Sequence, residues 1–296
     1  MFKIITFPSL SFSSGINKQK IQKANPSISS DNKKENMIDK NKTIEDQLTL
    51  KKKFIVTSAD TDMFGRLKLS VLANFLIQSA ISSADKLGFG LKYLREEKLF
   101  WVLHRLTIKI EKQLKWYDEI EVETWPKTVE GLLYIRDFIV RDKKKNIVAR
   151  GTSAWLAIDL IRKRPKIISG IITDIFHSLK YKNAIEELPS KLSLMKDGET
   201  NEINTSFFDL DLNQHVTSTR YIDWIMDAFS VDFHSKNYPK SLSINYLIEV
   251  KPNEKIQISK NKINKQSFHF EGLNLTTGKQ TYRSELIFNT QIKTHE

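Results

Sequence analysis

The sequence contains no cysteine among its 296 residues. Disulfide bonds, thiolate metal sites and a cysteine nucleophile are therefore excluded. It also lacks any run of 18 apolar residues, so we expect no transmembrane helix and no integral membrane association. A G-x-S-x-G nucleophile elbow, a G-x-G-x-x-G turn after a strand and a phosphate-binding P-loop are all missing. These absences argue against a serine hydrolase, a dinucleotide-binding domain and a nucleotide site.

Residues 1–50 are poor in apolar side chains, contain no arginine and have no acidic residue before Asp31. Lysine, serine and asparagine dominate instead, which predicts a disordered tail. The same composition fits a targeting segment for a plastid-type organelle, although the missing arginine argues against one. We favour a cytoplasmic protein with an unprocessed tail, because no secretory h-region or cleavage site is present.

Positive charge is concentrated near the N-terminus. Residues 1–53 hold 11 lysines and 5 acidic residues, an excess of six within a net charge of +12. The remainder is mildly basic, and such a surface attracts an acidic partner. No nucleic-acid recognition motif accompanies the charge, so we do not expect a nucleic-acid partner.

Residues 51–162 show one helix pattern followed by several strand patterns. Apolar residues at helical spacing predict a buried helix that begins near Leu69 and ends before Gly88. Strand-like runs separated by turn residues are found at 54–56, 101–110, 119–125, 134–141 and 147–159. One long helix among antiparallel strands indicates the α+β class, with the helix lying on the sheet.

Residues 199–296 repeat this plan. Strand-like runs at 202–207, 241–250, 255–263, 267–275 and 281–288 surround a helix at 218–229. The halves align locally, because residues 60–64 match 211–215 and residues 115–120 match 251–256. We interpret the chain as an internal duplication, in which residues 163–198 form a linker between two units.

A short polar motif precedes the helix of the second half. Asp211, Asn213 and His215 alternate with other residues, so an extended backbone would place their side chains on one face. A serine or threonine at 217–219 could cap the helix, whose free N–H groups and dipole favour negative charge. Ordinary turn and capping residues would give the same pattern. The functional alternative is a site that stabilises an oxyanion.

The first half lacks the ionisable residues of this motif. In the local alignment, Phe64 stands at the position of His215, and Gln113 at that of Glu249. Glu249 lies in a mostly apolar strand-like run, so we expect partial desolvation that suits a general base. An exposed glutamate at a strand end is the structural alternative. The asymmetry favours function, with water activated by Glu249 and directed at a polarised carbonyl.

The remaining titratable residues point to no further site. Asp223 and Asp227 are four residues apart on the predicted helix and are expected to face solvent. His104 is expected to be a core, edge or pocket histidine. The other histidines have no second ligand at metal spacing, so we expect no metal and no cofactor.

The sequence resembles the acyl-acyl carrier protein thioesterase family, whose members have two hotdog folds in tandem. The resemblance covers residues 54–288 and rests on several blocks: Trp101-Val102-Leu103-His104-Arg105, Glu121-Val122-Glu123-Thr124-Trp125-Pro126, Arg136-Asp137-Phe138, Thr152-Ser153-Ala154-Trp155 and Asp209-Leu210-Asp211-Leu212-Asn213-Gln214-His215-Val216. It implies a binding or packing hotdog with a degenerate site at 51–162. The catalytic hotdog would then lie at 199–296, each unit being a long helix wrapped by an antiparallel sheet.

The resemblance also implies a catalytic set and a reaction. In that family a D-x-N-x-H motif and a downstream glutamate are catalytic, which implies Asp211, Asn213, His215 and Glu249 here. Where the family usually has two asparagines after His-Val, this chain has Thr217 and Ser218. The implied reaction hydrolyses the thioester between a fatty acyl chain and the phosphopantetheine arm of acyl carrier protein. That carrier is an acidic partner, and a homodimer is compatible with the sequence.

Substrate-binding roles follow from the same resemblance. We expect backbone N–H groups near Val216 and Thr217 to bind the oxyanion, and Met63 and Trp101 to line the acyl tunnel. Glu249 would activate water with help from His215, while Asn213 holds substrate or water and Asp211 orients the set. The alternatives are an acyl-CoA thioesterase on the same fold and a non-catalytic acyl-binding hotdog protein.

Overall fold

The computed structural model describes residues 43–168, 170–195 and 198–290. The tail or targeting segment expected at 1–50 therefore lies mostly outside the described residues. Its last part is ordered, since Ile44–Leu48 forms helix α1 and strand β1 starts at Leu50. The Thr43 hydroxyl accepts the N–H of Asp46 and begins the helix, and Leu48 is buried. Order thus starts earlier than the sequence predicted.

The helices and strands follow the predicted order with a few additions. After α1, the first half contains β1 (Leu50–Ile55), α2 (Leu69–Lys86), α3 (Leu91–Glu96), β2 (Leu99–Ile110), β3 (Glu119–Glu130), β4 (Leu133–Asp142) and β5 (Ile147–Asp159). A connecting segment holds β6 (Arg164–Pro165) and α4 (Ile171–His177). The second half contains β7 (Glu199–Asn204), α5 (Ser218–Asp227), α6 (Val231–Lys236), β8 (Asn237–Tyr246), β9 (Lys255–Lys262), β10 (Ser267–Asn274) and β11 (Lys279–Thr290). No helix in this described part of the chain is long and apolar enough to cross a bilayer.

The strands form one antiparallel sheet that shows the duplication directly. Its order is β1-β3-β4-β5-β2-β8-β11-β10-β9-β7, with β6 paired to β5. The first five strands in this order are matched one for one, from the opposite edge, by the last five. The two halves therefore share a topology and join where β2 pairs with β8.

The junction has a local twofold axis. Thr107 lies opposite Ser243 in the β2–β8 register, and their hydroxyl oxygens are 3.2 Å apart. Strand β3 begins at Glu119 and strand β9 begins at Lys255. The spacing of these two residues in the sequence equals the spacing of Thr107 and Ser243. The pair therefore occupies equivalent positions in the two halves, and the axis passes between its members.

Helix α2 packs on the sheet through small and apolar residues at helical spacing: Leu69, Leu72, Ala73, Leu76 and Ala80 are buried. Gly151 on β5 permits this close approach, because a Cβ there would meet the Leu76 side chain at 2.9 Å. Helix α5 is shorter but also buries one face, which includes Tyr221 and Trp224. Burying each large side chain contributes about 1.5–3 kcal/mol.

Residues 163–198 do not form a free linker. Helix α4 packs against β3, and Ile172, Phe176 and Leu179 are buried. The segment also accepts hydrogen bonds from the sheet, from Trp125 Nε1 and Lys127 Nζ. It covers the face of β3 opposite α2, where apolar side chains such as Trp125 need a second layer.

Candidate active site

The polar motif forms a tight turn rather than an extended segment. Oδ1 of Asp211 accepts the backbone N–H groups of Asn213 at 2.8 Å and His215 at 3.2 Å. Gln214 adopts a positive φ of 61°, and an antiparallel bridge closes the loop. The expected common face of an extended strand is therefore wrong, because the chain reverses direction within the motif. Asp211 holds the turn, while the Asn213 side chain lies exposed on it.

Asp209 fixes this turn to α5. Its buried carboxylate accepts the N–H of Ser206 at 2.7 Å and Nε of Arg220 at 2.7 Å. Burial raises the pKa of Asp209, but these hydrogen bonds and the Arg220 charge outweigh burial and lower it below its ordinary value. The carboxylate is thus ionised and anchors the loop that carries His215.

His215 and Glu249 meet beside the start of α5. Nδ1 of His215 lies 3.4 Å from Oε2 of Glu249, and their side chains are 21% and 32% exposed. The backbone brings the two segments side by side, since the N–H of Val216 donates to the carbonyl of Val250 at 2.8 Å. An imidazole and a carboxylate that both reach solvent are suited to move a proton.

Glu249 is less buried than the sequence suggested. Strand β8 ends at Tyr246, so Glu249 lies in the loop after the strand, and Leu247 and Ile248 are exposed. Both of their N–H groups point to the carbonyl of Thr281, which ends the pairing with β11. Of the three apolar neighbours expected around Glu249, Val250 is buried, and the Glu249 side chain itself is partly buried.

The side chains of His104 and Tyr246 position the backbone that leads to Glu249. The sequence did not connect either side chain to the site. Nδ1 of His104 lies 3.0 Å from the carbonyl oxygen of Tyr246, and a carbonyl only accepts, so this nitrogen carries the proton. The Tyr246 hydroxyl donates to the carbonyl of Ser218 at 3.0 Å. Burial raises the pKa of Tyr246, which keeps the phenol a donor. An aromatic residue in an apolar strand gave no signal of this role.

The N–H groups expected to bind an oxyanion are used within the fold. Val216 donates to Val250, and Thr217 donates to the carbonyl of Asp209 at 2.8 Å. Ser218 and Thr219 are the first two residues of α5, and N–H groups in a first turn have no intrahelical acceptor. The first-turn N–H groups of α5 that follow Val216 and Thr217 are therefore those of Ser218 and Thr219.

Met63 and Trp101 border two separate cavities. Exposed Met63 lies at a cavity of about 480 Å³ between the start of α2, α5 and α6. Trp101 lines an apolar pocket of about 50 Å³ with Tyr134 and Phe176, and its Nε1 donates to the carbonyl of Phe89. Neither set of lining residues includes His215 or Glu249. The structure does not bring the expected substrate-binding residues into one site.

Comparison with known proteins assigns both halves. The family model of the acyl-ACP thioesterase N-terminal domain matches residues 47–176, and that of the C-terminal domain matches residues 192–291. The chain belongs to the acyl-ACP thioesterase family. Its fold is therefore the tandem hotdog that the sequence predicted.

Solved structures and curated relatives agree with this assignment. The chain is similar to an acyl-ACP thioesterase from Bacteroides thetaiotaomicron, with TM-score 0.77 and 27% identity over 83% of this chain and 99% of that one. The 12:0-ACP thioesterase from Umbellularia californica shares the fold at TM-score 0.71, with 19% identity over 82% and 98% of the two chains. A chloroplastic oleoyl-acyl carrier protein thioesterase from Coriandrum sativum is 24% identical over 68% of this chain. That match spans 59% of the relative's own length.

The first half of this acyl-ACP thioesterase family member contains a structural counterpart of the motif, displaced by two residues from the sequence alignment. Helices α2 and α5 begin at Leu69 and Ser218, and capping turns precede them at Ser58–Asp60 and Phe207–Asp209. These positions, 149 residues apart, pair Asp62 with Asp211. Oδ1 of Asp62 also accepts two backbone N–H groups.

The same equivalence places Arg66, not Phe64, at the position of His215. The sequence alignment failed because it matched Asp60, a capping residue, with Asp211. The pairing of Gln113 with Glu249 holds in the structure. Leu67 donates to the carbonyl of Leu114 at 2.9 Å, as Val216 does to Val250.

Asp223 and Asp227 do not simply face solvent. Both border the 480 Å³ cavity, and Asp223 forms an ion pair with Arg220 at 2.8 Å. Burial and the neighbouring Asp223 raise the pKa of Asp227. Asp227 is exposed, as expected, whereas Asp223 is half-buried beside Arg220.

Proposed function

We propose that this protein hydrolyses a fatty acyl thioester carried by acyl carrier protein, releasing a free fatty acid and the carrier thiol. One observation carries the proposal: the 3.4 Å approach of His215 Nδ1 to Glu249 Oε2 beside a helix start, in an acyl-ACP thioesterase chain. The substrate class comes from the names of its relatives, which act on acyl chains borne by a carrier protein.

The proposed reaction needs one water molecule and three proton transfers, which carry one proton from that water to the leaving sulfur. Glu249 accepts a proton from water as the water oxygen attacks the thioester carbonyl carbon. The carbon–oxygen bond forms, and the carbon–sulfur bond then breaks. His215 takes this proton from Glu249, which lies 3.4 Å away, and passes it to the departing sulfur, so both side chains return to their starting state. The products are a fatty acid and a thiol, so atoms and charge balance.

Asp211 and Asn213 serve this step differently. Asp211 spends one carboxylate oxygen on two backbone N–H groups, so it acts as a positioning residue for His215. The exposed Asn213 amide is free to approach substrate and holds the thioester carbonyl or the attacking water. The oxyanion is stabilised by the first-turn N–H groups of Ser218 and Thr219, at the positive end of the α5 dipole.

Acyl carrier protein is the proposed partner. The mildly basic character of the chain beyond residue 53 supports an acidic protein as partner. The homodimer stays a prediction. The cytoplasmic location also stays a prediction, because the coriander relative is named chloroplastic.

Replacing the carboxylate tests the proposed function. Glu249→Gln keeps the size of the side chain but cannot accept a proton, so kcat for acyl-carrier hydrolysis should fall by about 100-fold or more. Glu199→Gln removes a surface glutamate of the same half and should leave kcat unchanged. Thermal unfolding of both variants checks that they fold. Hydrolysis by Glu249→Gln at the wild-type rate would sink the assignment.

A second measurement separates the carriers. The same acyl chain is offered on acyl carrier protein and on CoA, and kcat/KM is compared. A higher value for the protein carrier supports the proposal, and a higher value for CoA would identify an acyl-CoA thioesterase. Binding of acyl thioesters without any turnover would support the non-catalytic alternative.

A further inference from the structure

The 480 Å³ cavity occupies the position that the internal twofold relates to the His215–Glu249 site. It is bordered by Arg66 and Gln113, the structural counterparts of those two residues, and by α5 and α6 from the other half. Its volume lies in the range of about 300–1,000 Å³ that is typical of small-molecule sites. A duplicated chain has thus kept a second cavity of ligand size.

The two counterpart residues reverse the charge of this second site. Glutamine at 113 removes the carboxylate that Glu249 supplies in the other half. Arginine at 66 replaces a titratable imidazole with a guanidinium that stays charged and can donate a charge-assisted hydrogen bond to a carboxylate. This pair cannot activate water as a base would, but it is suited to hold an anion.

Arg66 is held rigidly and retains free donors. Its side chain is only 8% exposed, and its Nε bonds to Asp62 at 2.7 Å. Nη1 donates to the carbonyls of His234 at 2.8 Å and Asn237 at 3.2 Å. Among the described residues nothing accepts from Nη2, and the side chain borders the cavity. Nη2 therefore keeps N–H groups that can donate to an anion without rearrangement of the side chain.

The rest of the cavity fits an apolar chain. Its wall includes Leu67, Val71, Leu114, Met226 and Val231. Two of its three aspartates, Asp62 and Asp223, form ion pairs with Arg66 and Arg220. The third, Asp227, is exposed to solvent. An anionic head beside an apolar surface describes a long-chain carboxylate.

We propose that this cavity binds a straight-chain carboxylate, with its head on Arg66 beside Gln113 and its chain along the apolar wall. Such molecules are the products of hydrolysis, so the identity of the natural ligand rests on the proposed function. Binding itself does not require that function. The first half would then sense the product class that the second half releases.

Carbon-13 NMR with carboxyl-labelled dodecanoate tests the proposal on the whole chain. Wild-type protein should show a bound carboxylate signal that Gln113→Glu removes or weakens by about 10-fold or more, because like charges would meet. Gln113→Asn keeps a neutral amide and is the matched control, with affinity expected within about 3-fold of wild type. Val231→Trp, at an exposed border residue, should also block entry.

The outcomes separate this inference from the proposed function. Unchanged affinity in Gln113→Glu, or equal affinity for dodecanol and dodecanoate, would overturn the carboxylate site. Displacement of dodecanoate by inorganic phosphate at equal concentration would overturn it as well. Gln113→Glu should hydrolyse acyl-carrier substrate at the wild-type rate, and Glu249→Gln should still bind dodecanoate in the cavity. Gln113-dependent binding in a protein without thioesterase activity would support this inference while the proposed function fails.

Discussion

At the scale of single residues, the same turn occurs in both halves but presents different side chains. Asp62 and Asp211 each hold a loop through two backbone N–H groups, and Gly65 and Gln214 occupy the same positive-φ position. The backbone is therefore common to both halves. Two side chains differ between the halves: Arg66 stands in the place of His215 on the turn, and Gln113 in the place of Glu249 on the segment beside it.

Titration of His104, which positions the backbone that leads to Glu249, makes the free energy of unfolding depend on pH. Burial lowers the pKa of His104 from its ordinary value of 6.5, and Arg105 lowers it further, against the hydrogen bond to Tyr246. The unfolded chain therefore takes up this proton at higher pH than the folded chain does. The contribution of His104 to the free energy of unfolding is complete above about pH 6.5 and is lost as the pH falls through the folded pKa.

Urea unfolding between about pH 5 and pH 8 measures this effect. His104→Gln cannot titrate, so its free energy of unfolding should fall less on acidification than that of wild type. His269→Gln replaces a more exposed histidine and should retain the wild-type slope. If the free energy of unfolding of His104→Gln depends on pH as that of wild type does, titration of His104 does not contribute to this dependence.

The proximity of His215 and Glu249 was predictable from the sequence, and the hydrogen bonding around them was not. The motif and the resemblance placed His215 and Glu249 together, and the structure brings them to 3.4 Å. The exposure of Glu249 depends on where β11 stops pairing, which local sequence does not record. The N–H groups of Val216 and Thr217 are taken by Val250 and Asp209, which are partners that only the folded chain defines.

At the scale of elements, strand β3 has two covered faces. Ile120 and Val122 belong to the α2 core, while Trp125 belongs to a cluster with Leu179 in the connecting segment. Residues 163–198 show no strong periodicity of their own, so their sequence predicted a linker. These residues are ordered by packing against β3, which is distant in the sequence. The sequence therefore predicted the core helix but not this layer.

A buried ion pair fastens that layer. Lys127 Nζ lies 3.1 Å from Asp137 Oδ2, with side chains only 4% and 0% exposed, and Asp137 also accepts the N–H of Ala184. Asp137→Ala leaves the Lys127 charge buried and unpaired. It should reduce the free energy of unfolding by about 3–5 kcal/mol.

Chemical denaturation checks this value against a surface pair. Lys143 and Glu119 are 2.8 Å apart but exposed, so Glu119→Ala should cost less than about 1 kcal/mol. Limited proteolysis of Asp137→Ala should cut first within the connecting segment. Equal losses in the two variants would mean that the buried pair contributes no more than a surface pair.

At the scale of the whole molecule, one continuous sheet runs through both halves. Strands β2 and β8 pair across the junction, and α2 packs against α5. Residues 43–194 and 198–290 expressed together as two chains should form a 1:1 complex that hydrolyses substrate. Residues 198–290 alone should self-associate, because the β8 edge would be unpaired.

Size-exclusion chromatography and a thioesterase assay decide this case. Two chains that elute separately, each monomeric, would show that the connection is needed for assembly.

The duplication itself was visible in the sequence as two copies of one pattern. The β2–β8 pairing was not, because strand patterns record which face is buried and not which strand lies next along the sheet.

The hydroxyls of Thr107 and Ser243 mark an axis that would be strictly symmetric in an assembly of two identical subunits. In such an assembly every inherited change appears twice, once at each site. Fusion into a single chain breaks that constraint, so a change at position 66 leaves position 215 untouched. Substitutions can therefore change the ligand of one half while the other half keeps its reaction.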